Sequence, residues 1–239
     1  MTILRVLGAL TLAAPAAPIA PEPVAAQSRP QAWLAVQGSS VKADSKFPGG
    51  GERVSGSAVG GEGGVWWKLV SLRVGYLNGA LRPDIEGPAH RDYIQGWVFL
   101  GVRPVQGLEI SGGPHARAYV RELPTPGPGP GPGDDEDAPL QTRATQRWLT
   151  WELHGRYEGM FVPDLLGGYG ELWTAVAGSV NDAGEFDRGR GAAAGVVLYL
   201  ARGQVGIRLG YALDETRLGN GAWRETVEGF TISVGYGRR

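Results

Sequence analysis

Acidic, imidazole and guanidinium side chains alternate with apolar ones in residues 149–157, which read LTWELHGRY. Glu152, His154 and Arg156 stand at every second position of this segment. A carboxylate beside an imidazole is the pairing that general acid–base catalysis uses, and both groups also bind metal ions. The segment therefore contains candidates for a chemical site.

A second group of this kind precedes it, with Glu109, His115 and Arg117 in residues 108–120. His115 and His154 come close together if the chain between them closes a hairpin. The chain has no HExxH motif, and no serine stands two residues from any of its three histidines. The pattern thus favours histidines that are satisfied within a polar interior; it indicates no catalytic residue, metal ion or cofactor. A metal or acid–base site is the alternative.

The elements that carry these residues are predicted from a period of two, which is imperfect where Trp97 and Phe99 stand at polar positions. In residues 205–214, VGIRLGYALD, apolar side chains alternate with Gly, Arg and Asp. In residues 94–120 the same alternation runs up to a turn at Gln106-Gly107 and resumes after it. Because such alternation would scatter apolar residues around a helix, and interior glycines destabilise helices, the fold is predicted to be all-β.

Connections of two kinds separate the predicted strands. Short connections are predicted at 69–71, 105–107, 159–168 and 201–204, and long ones at 42–53, 79–91, 121–146, 180–189 and 214–222. This pattern predicts about ten antiparallel strands with both chain ends on the short-turn side. Residues 52–64, ERVSGSAVGGEGG, make a poor strand, so eight strands are the alternative.

Composition limits the classes of protein that fit. Residues 1–26 combine Arg5, an apolar run and a small-residue end at Ala26, as a signal peptide does. The absence of cysteine excludes disulfides and thiol chemistry, and the formal net charge of −1 gives no reason to expect nucleic-acid binding. The 40 glycines suit strands that bend sharply around a small barrel.

The leader, the alternating strands and the amphipathic final segment GFTISVGYGRR resemble the outer-membrane β-barrel superfamily of bacteria. The resemblance covers residues 27–239 and is architectural. It implies a closed antiparallel transmembrane β-barrel in the outer membrane, monomeric, surrounded by outer-membrane lipid and lipopolysaccharide and inserted by the barrel-insertion machinery. The chain departs from the pattern at its end, where Gly237-Arg238-Arg239 follow the last aromatic, Tyr236.

If the apolar positions of this barrel face lipid, the other positions face its lumen. The predicted lumen and binding residues are Arg73, Arg103, Glu109, His115, Arg117, Glu152, His154, Arg156, Arg208 and Asp214. Because a barrel of about ten strands leaves little open space, we expect these side chains to pair and plug it. A narrow polar pore or a small-ligand site is the alternative.

Aromatic residues near the predicted strand ends suggest girdles at the two membrane interfaces. They are Trp33, Trp66, Trp67, Tyr119, Trp148, Tyr157, Trp173, Tyr199, Trp223 and Tyr236. The Pro-Gly and acidic tract within residues 122–146 is predicted to be a disordered external loop.

Two further functions stay open at this stage. One is a soluble secreted carrier of the lipocalin type, in which the apolar positions would face inward. The other is an outer-membrane enzyme that modifies lipid.

Overall fold

The computed structural model describes residues 30–48, 50–84, 90–121, 145–181, 186–201 and 203–237. Over these residues the chain forms ten β-strands: β1 Gln31–Phe47, β2 Gly50–Trp67, β3 Val70–Pro83, β4 Arg91–Val105, β5 Leu108–Arg121, β6 Gln146–Val162, β7 Leu166–Val180, β8 Phe186–Leu200, β9 Val205–Leu218 and β10 Trp223–Gly237. Within these ranges no helix is long and apolar enough to cross a membrane. The predicted signal peptide, and the tract at 122–146 apart from its last two residues, lie outside the described residues.

Each strand pairs with its neighbours in an antiparallel arrangement, and the first strand closes the sheet on the last. The closing ladder runs from Trp33 opposite Gly237 to Lys46 opposite Arg224. A closed ladder leaves no edge strand with unpaired backbone groups. The all-β class and the ten-stranded barrel are therefore confirmed, and the eight-strand alternative is wrong.

The first hairpin is the part that the sequence described least well. Residues 42–53 are not a long loop, because β1 and β2 stay paired as far as Phe47 opposite Gly50. Residues 214–218 likewise belong to β9 rather than to a loop. In both segments, charged residues continue the backbone pairing of the strands beyond the apolar part of the barrel. This is possible because a polar side chain on an exposed face does not interrupt backbone pairing. The ion pair between Arg53 and Asp44, at 3.0 Å, links β2 to β1 in this extension.

The apolar side chains face outward. Leu34 is 67% exposed and Leu100 is 63% exposed, and every strand from β1 to β10 carries large apolar residues of this kind. Charged side chains on the opposite face are buried, as the alternation predicts. The barrel is thus apolar outside and polar inside, which is the reverse of a water-soluble protein.

The predicted aromatic girdles are wrong for most of their members. Trp67, Tyr157 and Tyr236 do face outward. The other seven lie on the inward parity or pack against the interior: Trp33, Trp66, Tyr119, Trp148, Trp173, Tyr199 and Trp223. A position near a strand end does not decide which face a side chain takes, because the facing alternates with every residue.

Two of the interior tryptophans need glycine opposite them. Trp97 lies over Gly75 and Trp173 lies over Gly191, each pair being direct cross-strand partners. A Cβ atom at either glycine would stand 2.1 Å from a ring carbon of the tryptophan. Glycine therefore lets each indole lie flat against the barrel wall, and this holds the two rings beside the charged groups described below.

Candidate functional site

The structure places all ten predicted lumen residues with their side chains inside the barrel. Strands β3, β4, β5, β6 and β9 supply them, and their alternation fixes the direction in which each points. Strands β10, β1 and β2 present mainly small or uncharged polar groups to the cavity, such as Gln37, Ser39, Thr231 and Ser233, together with Glu62. Most of the charged groups therefore lie on the other strands, and Glu225 on β10 is the partner of Arg117.

Glu152 holds the two histidines together. Its Oε1 lies 2.7 Å from Nδ1 of His115, and its Oε2 lies 2.9 Å from Nε2 of His154. The hydroxyl of Thr150 donates a further hydrogen bond of 2.7 Å to Oε1. The Glu152 side chain is only 4% exposed, so these contacts replace nearly all of its hydration. We call Glu152, His115 and His154 the histidine cluster.

The second ring nitrogen of His154 determines its protonation. Nδ1 lies 2.8 Å from Oε1 of Glu171, while Nε2 faces Glu152. An ionised carboxylate only accepts hydrogen bonds, so both contacts are hydrogen bonds only if both ring nitrogens carry a proton. Phe99 packs on one side of the ring and Trp173 stacks at 5.6 Å on the other. With Glu152 and Glu171 both ionised, this geometry holds His154 as a cation between two carboxylates.

Glu171 extends the cluster towards β3. Nη2 of Arg73 donates a hydrogen bond of 2.9 Å to it, and Nε of the same guanidinium lies 2.9 Å from Glu109. Arg73 also reaches the hydroxyl of Ser111 at 3.3 Å. One arginine therefore neutralises carboxylates from β5 and β7 together, which links strands that are not neighbours in the sheet.

A second group lies nearer the end of the barrel that carries the chain termini and short turns, here called the turn end. Glu158 accepts hydrogen bonds from Arg208 and from the Tyr199 hydroxyl, and Arg156 lies 3.5 Å from it. The guanidinium groups of Arg156 and Arg208 each lie 5.3 Å from the ring of Tyr169. The aromatic face and the carboxylate together hold the two cations side by side.

A third group lies towards the opposite end, here called the loop end. Arg117 donates to Asp214 at 2.8 Å and also to Glu225. The indole of Trp173 donates to the other oxygen of Asp214 at 3.1 Å. Glu225 is 1% exposed, so its charge depends on Arg117 for compensation.

Packed side chains lie at both ends of the lumen. At the loop end a buried apolar cluster includes Leu81, Trp148, Val180 and Leu218. At the turn end Trp33 and Trp66 pack with Ala35, and Arg103 covers the Trp66 ring at 4.6 Å. Between these ends lies a cavity of about 230 Å³, bounded by the charged groups and the small polar side chains.

Sequence reasoning missed three of the carboxylates that complete these groups, Glu158, Glu171 and Glu225. Glu158 continues the inward series of residues 152, 154 and 156. It stands between the alternating segment 149–157 and the predicted connection 159–168, so the sequence pattern did not include it. Continuing that series by one more step would have found it. Glu225 and Glu171 stand on strands whose inward faces are otherwise small or aromatic, so no local pattern marked them.

The arrangement leaves the histidines committed to hydrogen bonds. Both rings bond to carboxylates, and no serine hydroxyl within the described residues bonds to either of them. In the same part of the chain, no group of three or more acidic or histidine side chains is arranged to hold a metal ion. The geometry is that of a closed ionic network.

No protein-family model matches the chain, and no curated protein is similar to it. Among solved structures it is similar to the translocator domain of the autotransporter NalP from Neisseria meningitidis, with a TM-score of 0.41, 11% identity and coverage of 89% of this chain and 90% of that one. It is also similar to a Pseudomonas aeruginosa FadL homologue, with a TM-score of 0.36, 9% identity and coverage of 89% and 91%. It is similar as well to Neisserial surface protein A, with a TM-score of 0.31, 11% identity and coverage of 84% of this chain and 96% of that one. Likeness at this level identifies neither a family nor a function.

Proposed function

We propose that this protein is a monomeric integral β-barrel of the bacterial outer membrane whose lumen is plugged by its own ionic network. Its role is then structural or ligand-binding rather than that of an open pore. The observation that carries the proposal is the inverted distribution of polarity, with large apolar side chains exposed outside and charged side chains buried inside. In water this distribution would be unstable, whereas in a bilayer both faces are satisfied.

The height of the apolar surface supports a membrane setting. On β9 the outward residues from Val205 to Leu213 are all apolar or aromatic. Nine residues at the rise of a β-strand, tilted by about 40°, span about 20 Å along the barrel axis, close to the apolar band of about 25 Å on outer-membrane barrels. The interfaces would then lie near the two ends of this run. Outer-membrane lipid and lipopolysaccharide are the surroundings that this surface would meet.

The packing of the lumen supports a closed barrel. Ion pairs cross it at several levels, and apolar clusters lie at both ends. An ion in transit would have to displace paired groups in a region with little water, which is costly. A small polar ligand could occupy the cavity of about 230 Å³, and this is the binding role that the geometry permits.

The other two functions have less support. A lipocalin-like carrier needs apolar residues inside and polar ones outside, which is the opposite orientation. A lipid-modifying enzyme needs a nucleophile beside a base, and the described histidines bond to carboxylates instead.

Location is tested by expressing the full chain in a Gram-negative host. We expect it in the outer-membrane fraction, with an unboiled form that migrates differently on a denaturing gel from the boiled form. A chain recovered in the periplasm that stays dissolved without detergent would disprove the proposal.

Closure is tested in planar bilayers with the refolded protein. We expect no conductance steps from the wild type. The double variant R208A/E158A removes one lumen ion pair without changing the net charge, and steps seen only with this variant would assign closure to the network. Steady conductance through the wild type would show that the lumen is open.

A further inference from the structure

The outer surface of the barrel carries a row of cations just beyond the apolar band at the loop end. Arg188 on β8 pairs directly with Arg217 on β9, Arg217 pairs with Arg224 on β10, and Arg224 pairs with Lys46 on β1. Four adjacent strands thus present positive side chains at one level. We call these four residues the cationic row.

Among the residues that the structure describes, the charge of this row is only partly compensated. Glu215, one level below, contacts Arg217 at 2.6 Å and Arg224 at 3.3 Å. It also contacts Arg190 at 3.3 Å, so it is shared by three guanidinium groups. Within the described residues, the row and Arg190 place five cations against three carboxylates, Glu215, the exposed Asp187 and Asp44, and Asp44 is already paired with Arg53 at 3.0 Å. The whole chain has a formal net charge of −1. Like charges directly opposite each other on a sheet destabilise it, and an external anion would offset this repulsion.

The row lies at the depth of lipid head groups. Arg217 is four residues beyond Leu213, where the apolar run of β9 ends. At a strand tilt of about 40° this is about 10 Å above the band, within the head-group layer of a bilayer. Lys46 and Arg188 are exposed to the outside, and 42% of the Arg224 side chain and 27% of the Arg217 side chain are exposed. Guanidinium groups bind phosphate oxygens through paired hydrogen bonds.

We propose that the cationic row binds the phosphate groups of a phosphorylated lipid in the outer leaflet, and so fixes that lipid against β8, β9, β10 and β1. This inference rests on the proposed membrane location, because the phosphate is presented at this depth only by a surrounding bilayer. The lipid head group is the ligand, and free phosphate is not.

The test uses the full chain refolded in detergent micelles and titrated by calorimetry with diphosphorylated lipid A, with the same lipid lacking phosphates, and with inorganic phosphate. The variant R188Q/R224Q removes two cations of the row. The control R82Q/R147Q removes two exposed cations at the same end from β3 and β6. A hydrogen bond from a guanidinium to a charged phosphate contributes about 1.5 kcal/mol, or about tenfold in affinity, so losing two of these direct contacts predicts a loss of more than tenfold.

We expect the phosphorylated lipid to bind the wild type and the control equally and R188Q/R224Q more than tenfold more weakly. Equal binding to all three proteins, or equal binding of the phosphate-free lipid to the wild type, would overturn the inference. Inorganic phosphate that binds as tightly as the lipid would overturn the assignment to lipid. A barrel that enters micelles and fails these tests refutes this inference alone, whereas a chain that stays dissolved without detergent refutes the membrane location.

Discussion

The histidine cluster gives the sharpest energetic prediction. Glu152→Gln keeps the shape of the side chain and removes its charge. The amide oxygen can still accept from His115 and Thr150, but the amide nitrogen then faces Nε2 of His154, which also carries a proton. Two donors then face each other until His154 loses that proton. The effect of this substitution on stability therefore depends directly on His154.

The expected size follows from burial. Hydrogen bonds to charged groups contribute about 1.5–3 kcal/mol each, and the two side chains are 4% and 7% exposed, so solvent screens them little. The coupling free energy in a double-mutant cycle of E152Q with H154Q is then about 1.5–3 kcal/mol. The exposed pair of Lys42 and Glu228, at 3.4 Å, is the matched control, for which the cycle of K42Q with E228Q should give less than about 1 kcal/mol.

The free energies of unfolding are measured by urea titration of the refolded barrel in micelles, followed by tryptophan fluorescence. The four proteins of each cycle are compared at one pH and one detergent concentration. A coupling for Glu152 and His154 no larger than that of the surface pair would refute the inference that this cluster stabilises the barrel.

Two further predictions test the wall and the outer face of the barrel. A Cβ atom at Gly60 would stand 1.9 Å from the backbone oxygen of Tyr76, so G60A should lower the free energy of unfolding by about 1–3 kcal/mol. A Cβ atom at Gly38 would have no atom within 4 Å, so G38A should leave the free energy of unfolding unchanged or slightly higher. Urea titration of both variants measures the difference, and equal effects of the two substitutions would contradict the prediction. Leu209 lies in the middle of the apolar run, so L209R should destabilise the barrel in lipid vesicles by about 2–4 kcal/mol, whereas V205R at the rim should cost about 0–1 kcal/mol. Similar costs at the two positions would contradict the membrane orientation.

Period two in the sequence was sufficient to predict the direction of most side chains. Once Leu209 is assigned to the outer face, Arg208 and Asp214 must lie inside, because successive residues of a strand face opposite sides. The all-β class and all ten predicted lumen positions follow from this local rule, and the count of ten strands follows from the alternation of short and long connections. The rule needs no knowledge of which strands are neighbours.

The contacts inside the lumen could not be read from the sequence. Arg117 meets Glu225 across 108 positions of the chain, and His154 lies between carboxylates of β6 and β7. These partners are chosen by the closure of β1 on β10 and by the stagger of each pair of strands, which no single segment encodes. The same closure aligned the four cations of the cationic row, which lie in three separate parts of the sequence.

The sequence thus determined which face each residue takes, since that is a property of the extended backbone alone. Only the tertiary structure decided which inward groups meet, how far the first hairpin extends, and that Trp33 and Trp66 pack together at the turn end. The physical reason is that facing depends on one strand, whereas pairing and closure depend on the register of all ten strands together.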